Sequence, residues 1–144
     1  MNSLPYFWSR AFIDQFVDQM NHDPSFQKTV AEFSNTVVFR CFDRPDGKDV
    51  VAAYHFDEGY VNVEITEVGS TGEIREVAFD SRSALARASA PYTVWAKLDR
   101  GKMTVVGALA SPEYVIDGPR FKIMLNIAVF KAMSTLSSRI EKQY

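Results

Sequence analysis

The chain has 144 residues, 47% of them hydrophobic and 24% charged, with a formal net charge of -2. That length suits one domain around one core, and the composition is that of a globular chain, not a disordered one. Lys and Arg are interspersed with Asp and Glu instead of forming a basic run, which argues against a nucleic-acid partner.

A single cysteine, Cys41, rules out a disulfide within the chain and makes a reducing compartment the expected setting. The first residues, Met1 to Tyr6, carry neither a basic start nor an apolar run, so no signal peptide is expected. The most apolar stretch, Phe121 to Met133, is interrupted by Lys122, Asn126 and Lys131 and is too short and polar to span a bilayer. The last residues, Glu141 to Tyr144, are no Ser-Lys-Leu-type peroxisomal address, and a cytoplasmic protein without stable membrane insertion is expected.

From Phe7 to Asn21 the apolar residues Trp8, Phe12, Ile13, Phe16, Val17 and Met20 recur at steps of three and four, which predicts an amphipathic helix. Asp23-Pro24 reads as a cap followed by Pro at the first helical position, opening a second helix that buries Phe26, Val30 and Phe33. These helices occupy residues 1–33. The period then becomes two. Thr36–Phe42 ends at the turn Asp43-Arg44-Pro45-Asp46-Gly47, Val50–Phe56 is a second strand, and Glu58-Gly59 closes a hairpin to Val61–Thr66. Gly69 to Gly72 is another short loop, before a fourth strand over Glu73–Asp80, so residues 36–80 read as an antiparallel meander. Residues 81–98 read as helical, broken at Pro91. Gly101 turns the chain into a fifth strand within residues 102–107, and Pro119 starts a closing helix over 119–143, roughly 36 Å long.

No nucleophile elbow, P-loop or dinucleotide glycine fingerprint is present. His22 and His55 stand far apart, and neither has a partner at metal-ligand spacing. Cys41 in a strand reads as a small hydrophobe, with no His or Lys nearby to activate it. Asp43, Asp46, Asp49, Asp57 and Glu58 fall in turns, where solvated acids are expected. Neither a catalytic set nor a cofactor is expected. The unusual feature is apolar: over Phe121–Met133 only Lys122, Asn126 and Lys131 are polar. The helix must bury more than one side, line a cavity or meet a partner.

Ala90-Pro91-Tyr92-Thr93-Val94-Trp95-Ala96-Lys97-Leu98, followed by Asp99-Arg100-Gly101-Lys102-Met103-Thr104-Val105-Val106-Gly107, resembles the C-terminal half of the sterol carrier protein 2 domain. Trp95 matches that family's short aromatic-bearing helix, Gly101-Lys102 and Gly107 bracket its strand, and Phe121–Met133 matches its apolar C-terminal helix. Tyr54-His55-Phe56-Asp57-Glu58-Gly59-Tyr60 resembles its strand-turn-strand. The likeness covers roughly residues 30 to 136, and the insertion Ala108–Gly118 departs from it.

The resemblance implies an α+β fold: a mostly antiparallel five-stranded sheet covered by helices, enclosing an apolar tunnel for a sterol, fatty acyl chain or other lipid. Candidate ligand-binding residues on that reading are Phe39, Phe56 and Val63 from the sheet and Trp95, Leu98, Met103, Val105, Phe121, Met124, Leu125, Ala128 and Val129 from the second half. Each is also a residue that a solid core would bury. Two alternatives stay open. One is an interaction or accessory subunit, such as a homodimer, using the Phe121–Met133 or Trp8–Met20 stripe. The other is a nuclear transport factor 2-like cavity enzyme drawing on His55 or Tyr54.

Overall fold

The computed structural model describes residues 3–69 and 72–144. The loop expectation at Ser70 and Thr71 lies outside the described residues. Among these described residues five strands form one sheet, β1 (Thr36–Phe42), β2 (Lys48–Asp57), β3 (Tyr60–Gly69), β4 (Ala86–Pro91) and β5 (Val115–Asp117), in the order β3-β2-β1-β4-β5. Three neighbouring pairs are antiparallel, and β1 with β4 is parallel. Among the described residues six α-helices complete the fold: α1 (Arg10–His22), α2 (Pro24–Val30), α3 (Tyr92–Asp99), α4 (Val105–Leu109), α5 (Arg120–Leu125) and α6 (Ile127–Arg139).

The first half follows local rules. The Ser9 hydroxyl accepts from the amide of Phe12 at 3.1 Å to start α1, and Phe12, Ile13, Phe16 and Met20 form its buried face. Asp23 ends α1 with its amide on the Gln19 carbonyl and starts α2 with its carboxylate on the Phe26 amide. The β2–β3 hairpin is a two-residue turn with both central residues at positive φ, Glu58 at 46° and Gly59 at 85°. Along β1 and β2 the odd partners Val37 and Cys41 and the even partners Val50, Ala52, Tyr54 and Phe56 are buried on the inner face.

Four expectations need correction. Glu73–Asp80 is no strand: a 3-10 turn at Glu73–Glu76 and irregular chain cross the outer face of the sheet. There the Arg40 guanidinium donates to the Ile74 carbonyl at 2.7 Å and Arg87 to the Val77 carbonyl at 2.8 Å. The meander therefore has three strands. Residues 86–91 are strand, not helix. Ala is the best helix former, but Ala86, Ala88 and Ala90 alternate with Arg87 and Ser89, and pairing with β1 overrides propensity.

The fifth strand is Val115–Asp117, paired with β4, and not within 102–107, where the Thr104 hydroxyl instead caps α4 by accepting from the Gly107 amide at 2.9 Å. The closing helix is broken at Asn126 (φ -108°, ψ 18°), whose side-chain amide donates to the Lys122 carbonyl at 2.9 Å and competes with the helical ladder. The helix also stops at Arg139. Beyond it an extended tail pairs with the N-terminal segment: the Phe7 amide donates to the Gln143 carbonyl at 2.7 Å and the Gln143 amide to the Pro5 carbonyl at 2.8 Å.

Candidate functional site

Between the inner sheet face and the helices lies a chamber with about 60 Å³ of room. Its floor is Phe39 of β1 and Tyr54 of β2. The register explains the space: Phe39 lies opposite Ala88 in the parallel pair, and a row of three alanines on β4 leaves room above the sheet. Trp95 of α3 fills part of it, held by an indole N–H donated to the Arg40 carbonyl at 2.9 Å. Its ring sits 5.2 Å from Phe39, 5.3 Å from Trp8 and 5.5 Å from Tyr114. Phe12, Ile13 and Phe16 of α1 and Phe130 and Met133 of α6 complete the apolar walls. Trp8 is buried at a positive φ of 66°, a conformation disfavoured for a bulky residue and held here by packing and by Arg44 donating to its carbonyl at 3.0 Å.

One end of the chamber is polar. Asp99, Ser134 and Ser137 line it. The Asp99 carboxylate accepts from the Ser137 hydroxyl at 2.6 Å, from the Tyr144 hydroxyl and from the Lys142 ammonium, which also donates to the Ser137 carbonyl at 2.5 Å. Both ion-pair partners are withdrawn from water, with side-chain exposures of 2% for Lys142 and 3% for Asp99. The ammonium also lies over the rings of Phe7 and Phe12, at 5.2 and 5.0 Å. Burial depresses the Lys142 pKa, and the Asp99 carboxylate opposes that shift. Burial pushes the phenols of Tyr54 and Tyr114 above their ordinary range, so both stay protonated donors.

The lining residues that keep some exposure, Phe39, Val105, Tyr114 and Ser134, indicate where the chamber opens. An outer groove between α4 and α6 shares Leu98, Asp99, Val105 and Ser134 with it and continues to Met103, Val106 and Lys131. The mouth is therefore between α4 and α6, bounded by the segment after Gly101.

Of the expected site residues, Phe39, Trp95, Leu98 and Val105 line the chamber. Met103 lines the outer groove. Val63 packs against the core, Val129 is buried without reaching the chamber, and Phe56 belongs to a separate aromatic group with Phe26 and Phe33. Phe121, Met124, Leu125 and Ala128 face outward, because the break at Asn126 leaves only Ile123 of α5 buried. The lining residues missed are those of α1, the Trp8 segment, Tyr54, Tyr114 and the α6 set Phe130, Met133, Ser134 and Ser137. That α6 set has steps of three, one and three, so a stripe drawn from Phe130 instead of Phe121 would have found it.

Asp49 also departs from expectation. It is fully buried, taking two hydrogen bonds from Arg75 at 2.8 and 2.9 Å, and is no solvated turn acid. The His22 Nδ1–H donates to the Asp18 carbonyl at 2.7 Å, and His55 lies between Thr36 and Glu64 at 2.8 and 2.9 Å. Cys41 is buried, and burial raises its thiol pKa. Among the described residues, no group of three or more His, Cys, Asp and Glu is placed to hold a metal ion. No helix among them is long and apolar enough to cross a membrane.

No family model matches the sequence, and no curated protein does. The fold, however, matches solved structures over nearly its whole length. A conserved hypothetical protein of Thermus thermophilus, described as possibly a sterol carrier protein, superposes with a TM-score of 0.72 at 12% identity, covering 99% of this chain and 94% of that one. Sterol carrier protein 2 superposes with a TM-score of 0.72 at 12% identity, over 92% and 98% of the two chains. The sterol carrier protein domain 2 of Helicoverpa armigera gives 0.57 at 16% identity, over 92% and 91%. The chain therefore has the sterol carrier protein 2 fold. The sheet and helices match sterol carrier protein 2 structures, not the nuclear transport factor 2-like arrangement considered as an alternative.

Proposed function

We propose that this chain binds and carries an apolar small molecule in the chamber between its sheet and helices, with no catalytic step of its own. The observation that carries this reading is the aromatic-walled chamber itself, placed in a sterol carrier protein 2 fold and reached through a groove between α4 and α6. The single, buried Cys41 suits a reducing setting such as the cytoplasm.

The dimensions set a condition. Pockets for drug-sized ligands have roughly 300–1,000 Å³, several times the room seen here. A sterol or long acyl chain enters only if a wall moves. The five-residue α4 beside the mouth and the strained Trp8 segment are the parts of the wall with the least regular backbone holding them. Burying about sixteen methylenes offers roughly 12 kcal/mol gross, from which wall opening and chain ordering subtract a large share.

The polar end narrows the ligand class. No Lys, Arg or His lines the chamber among the described residues, and the charge of Lys142 is already taken by Asp99. Inside the chamber a free carboxylate would meet Asp99 with no uncommitted cation, Lys131 lying outside it in the groove at the mouth. A neutral lipid with one hydroxyl, such as a sterol, finds in Asp99 an acceptor and in Ser134 a hydroxyl partner.

Native mass spectrometry of the purified chain, followed by extraction and lipid identification, tests the reading. Trp8 and Trp95, its two tryptophans, both line the chamber, so their fluorescence reports uptake of added ligand. A fluorescent sterol is expected to bind and a free fatty acid to bind more weakly, while Val105→Trp at the mouth blocks both. A chain that arrives without lipid and takes up neither probe refutes the proposal.

A further inference from the structure

The residues that the chamber does not use form a surface of their own. On α5, Phe121 is 77% exposed, Leu125 69% and Met124 51%, and the exposed Ala128 continues their spacing of three and four onto α6. Three large apolar side chains on one helix face in contact with water are an unusual concentration, and they call for a covering partner.

The charge around them says which kind. From Gly118 to Arg139 the chain carries four basic residues, Arg120, Lys122, Lys131 and Arg139, and no acidic one, in a protein whose net charge is -2. The nearest acid before this stretch, Asp117, is tied to Arg87 at 3.0 Å. Beside α5 a polar groove is lined by Lys122, Arg82, Ser81, Ser83 and Asn126, Arg82 being paired with Asp80 at 3.3 Å, and among the described residues no carboxylate lines it. Lys131 in turn reaches the groove at the chamber mouth, next to the exposed Val106. A second copy of the chain is a poor match, since a two-fold contact here would set Arg120 and Lys122 against themselves. An acyl-chain boundary beneath a layer of phosphates supplies both an apolar phase and the opposite charge.

We infer that α5 docks the protein on an anionic phospholipid surface, with Phe121, Met124 and Leu125 entering the headgroup and acyl boundary and Arg120, Lys122 and Lys131 meeting phosphates. The side chains that dock are separate from those that line the chamber, so this inference stands or falls apart from the carrier reading.

The test is flotation of the full chain with phosphatidylcholine vesicles made with and without phosphatidylserine. Binding is expected only with phosphatidylserine and is expected to fall at high salt. The triple variant Phe121→Ser/Met124→Ser/Leu125→Ser and the charge variant Arg120→Glu/Lys122→Glu should each bind at least about tenfold more weakly, because each removes one of the two contributions. All of these positions are outward-facing, so circular dichroism and sterol uptake should match the parent chain. Absence of binding to phosphatidylserine vesicles overturns the inference, as does equal binding by the variants. A dimer in ultracentrifugation that the triple variant dissolves also overturns it, because α5 would then be a self-interface.

Discussion

Replacing Lys142 by Met keeps most of the side-chain stem and removes only the charge, which isolates the buried pair with Asp99. In the parent chain the Asp99 carboxylate has three donors: Lys142, the Ser137 hydroxyl and the Tyr144 hydroxyl. Breaking a buried pair by deleting one partner costs about 3–5 kcal/mol, mainly through the uncompensated charge. Two hydroxyl donors remain on Asp99, each worth roughly 1.5 kcal/mol or more to a charged acceptor, so the expected loss lies near the lower end, about 3 kcal/mol. Asp99→Asn alone should cost a similar amount, because it leaves the ammonium among the rings of Phe7 and Phe12. The double variant Asp99→Asn/Lys142→Met buries no charge and should lose only about 1 kcal/mol, giving a coupling of several kcal/mol. Urea unfolding followed by tryptophan fluorescence and circular dichroism measures all three. A double variant as unstable as the sum of the singles would refute the reasoning, since the two residues would then act independently.

Alkaline pH and a glycine contrast provide two more checks. The thiol of Cys41 has a folded pKa raised by burial, so the unfolded chain ionises first, and the stability it contributes, intact below about pH 8.5, is lost above it at up to roughly 1.4 kcal/mol per pH unit. Lys142, with a lowered pKa, acts in the opposite sense, so the difference in unfolding free energy between the parent and Cys41→Ala is the quantity to follow. It should move in favour of the variant above about pH 8.5, and a flat difference would contradict the buried-thiol account. Gly118→Ala places a Cβ 2.5 Å from the Leu85 carbonyl oxygen at φ 128°, and should cost at least about 2 kcal/mol in thermal unfolding. Gly47→Ala at φ 85° meets nothing within 4 Å and should cost only about 1 kcal/mol; equal losses would show that the close approach is not what matters.

Local signals carried the elements whose contacts are close in sequence. The α1 stripe, the Asp23-Pro24 helix start and the Glu58-Gly59 hairpin need only spacing, a cap and a turn, and all three are found where the residues indicate. The short aromatic helix bearing Trp95 is likewise present. The sterol carrier protein 2 fold was suggested by the resemblance of Ala90–Gly107 and of the apolar Phe121–Met133 run to that family, although the strand read between Gly101 and Gly107 is replaced in the structure by the start of helix α4.

Only the tertiary structure decided the rest. Ala86 to Pro91 has helical composition, and becomes a strand because the edge of β1 is available for parallel pairing and small side chains leave room for Trp95. Val115 to Asp117 is a strand for the same long-range reason: β4 presents an edge and Arg87 a partner for Asp117. The apolar run at Phe121 carries no mark of inside or outside. Its division follows from the break at Asn126, which turns Phe121, Met124 and Leu125 to solvent while Phe130 and Met133 face the chamber. The pairing of Asp99 with Lys142 spans 43 residues, and that of Asp49 with Arg75 spans 26. Periodicity reports which faces a segment prefers to bury; it holds no information on which distant backbone or charge will meet that face, and the chamber is made of such meetings.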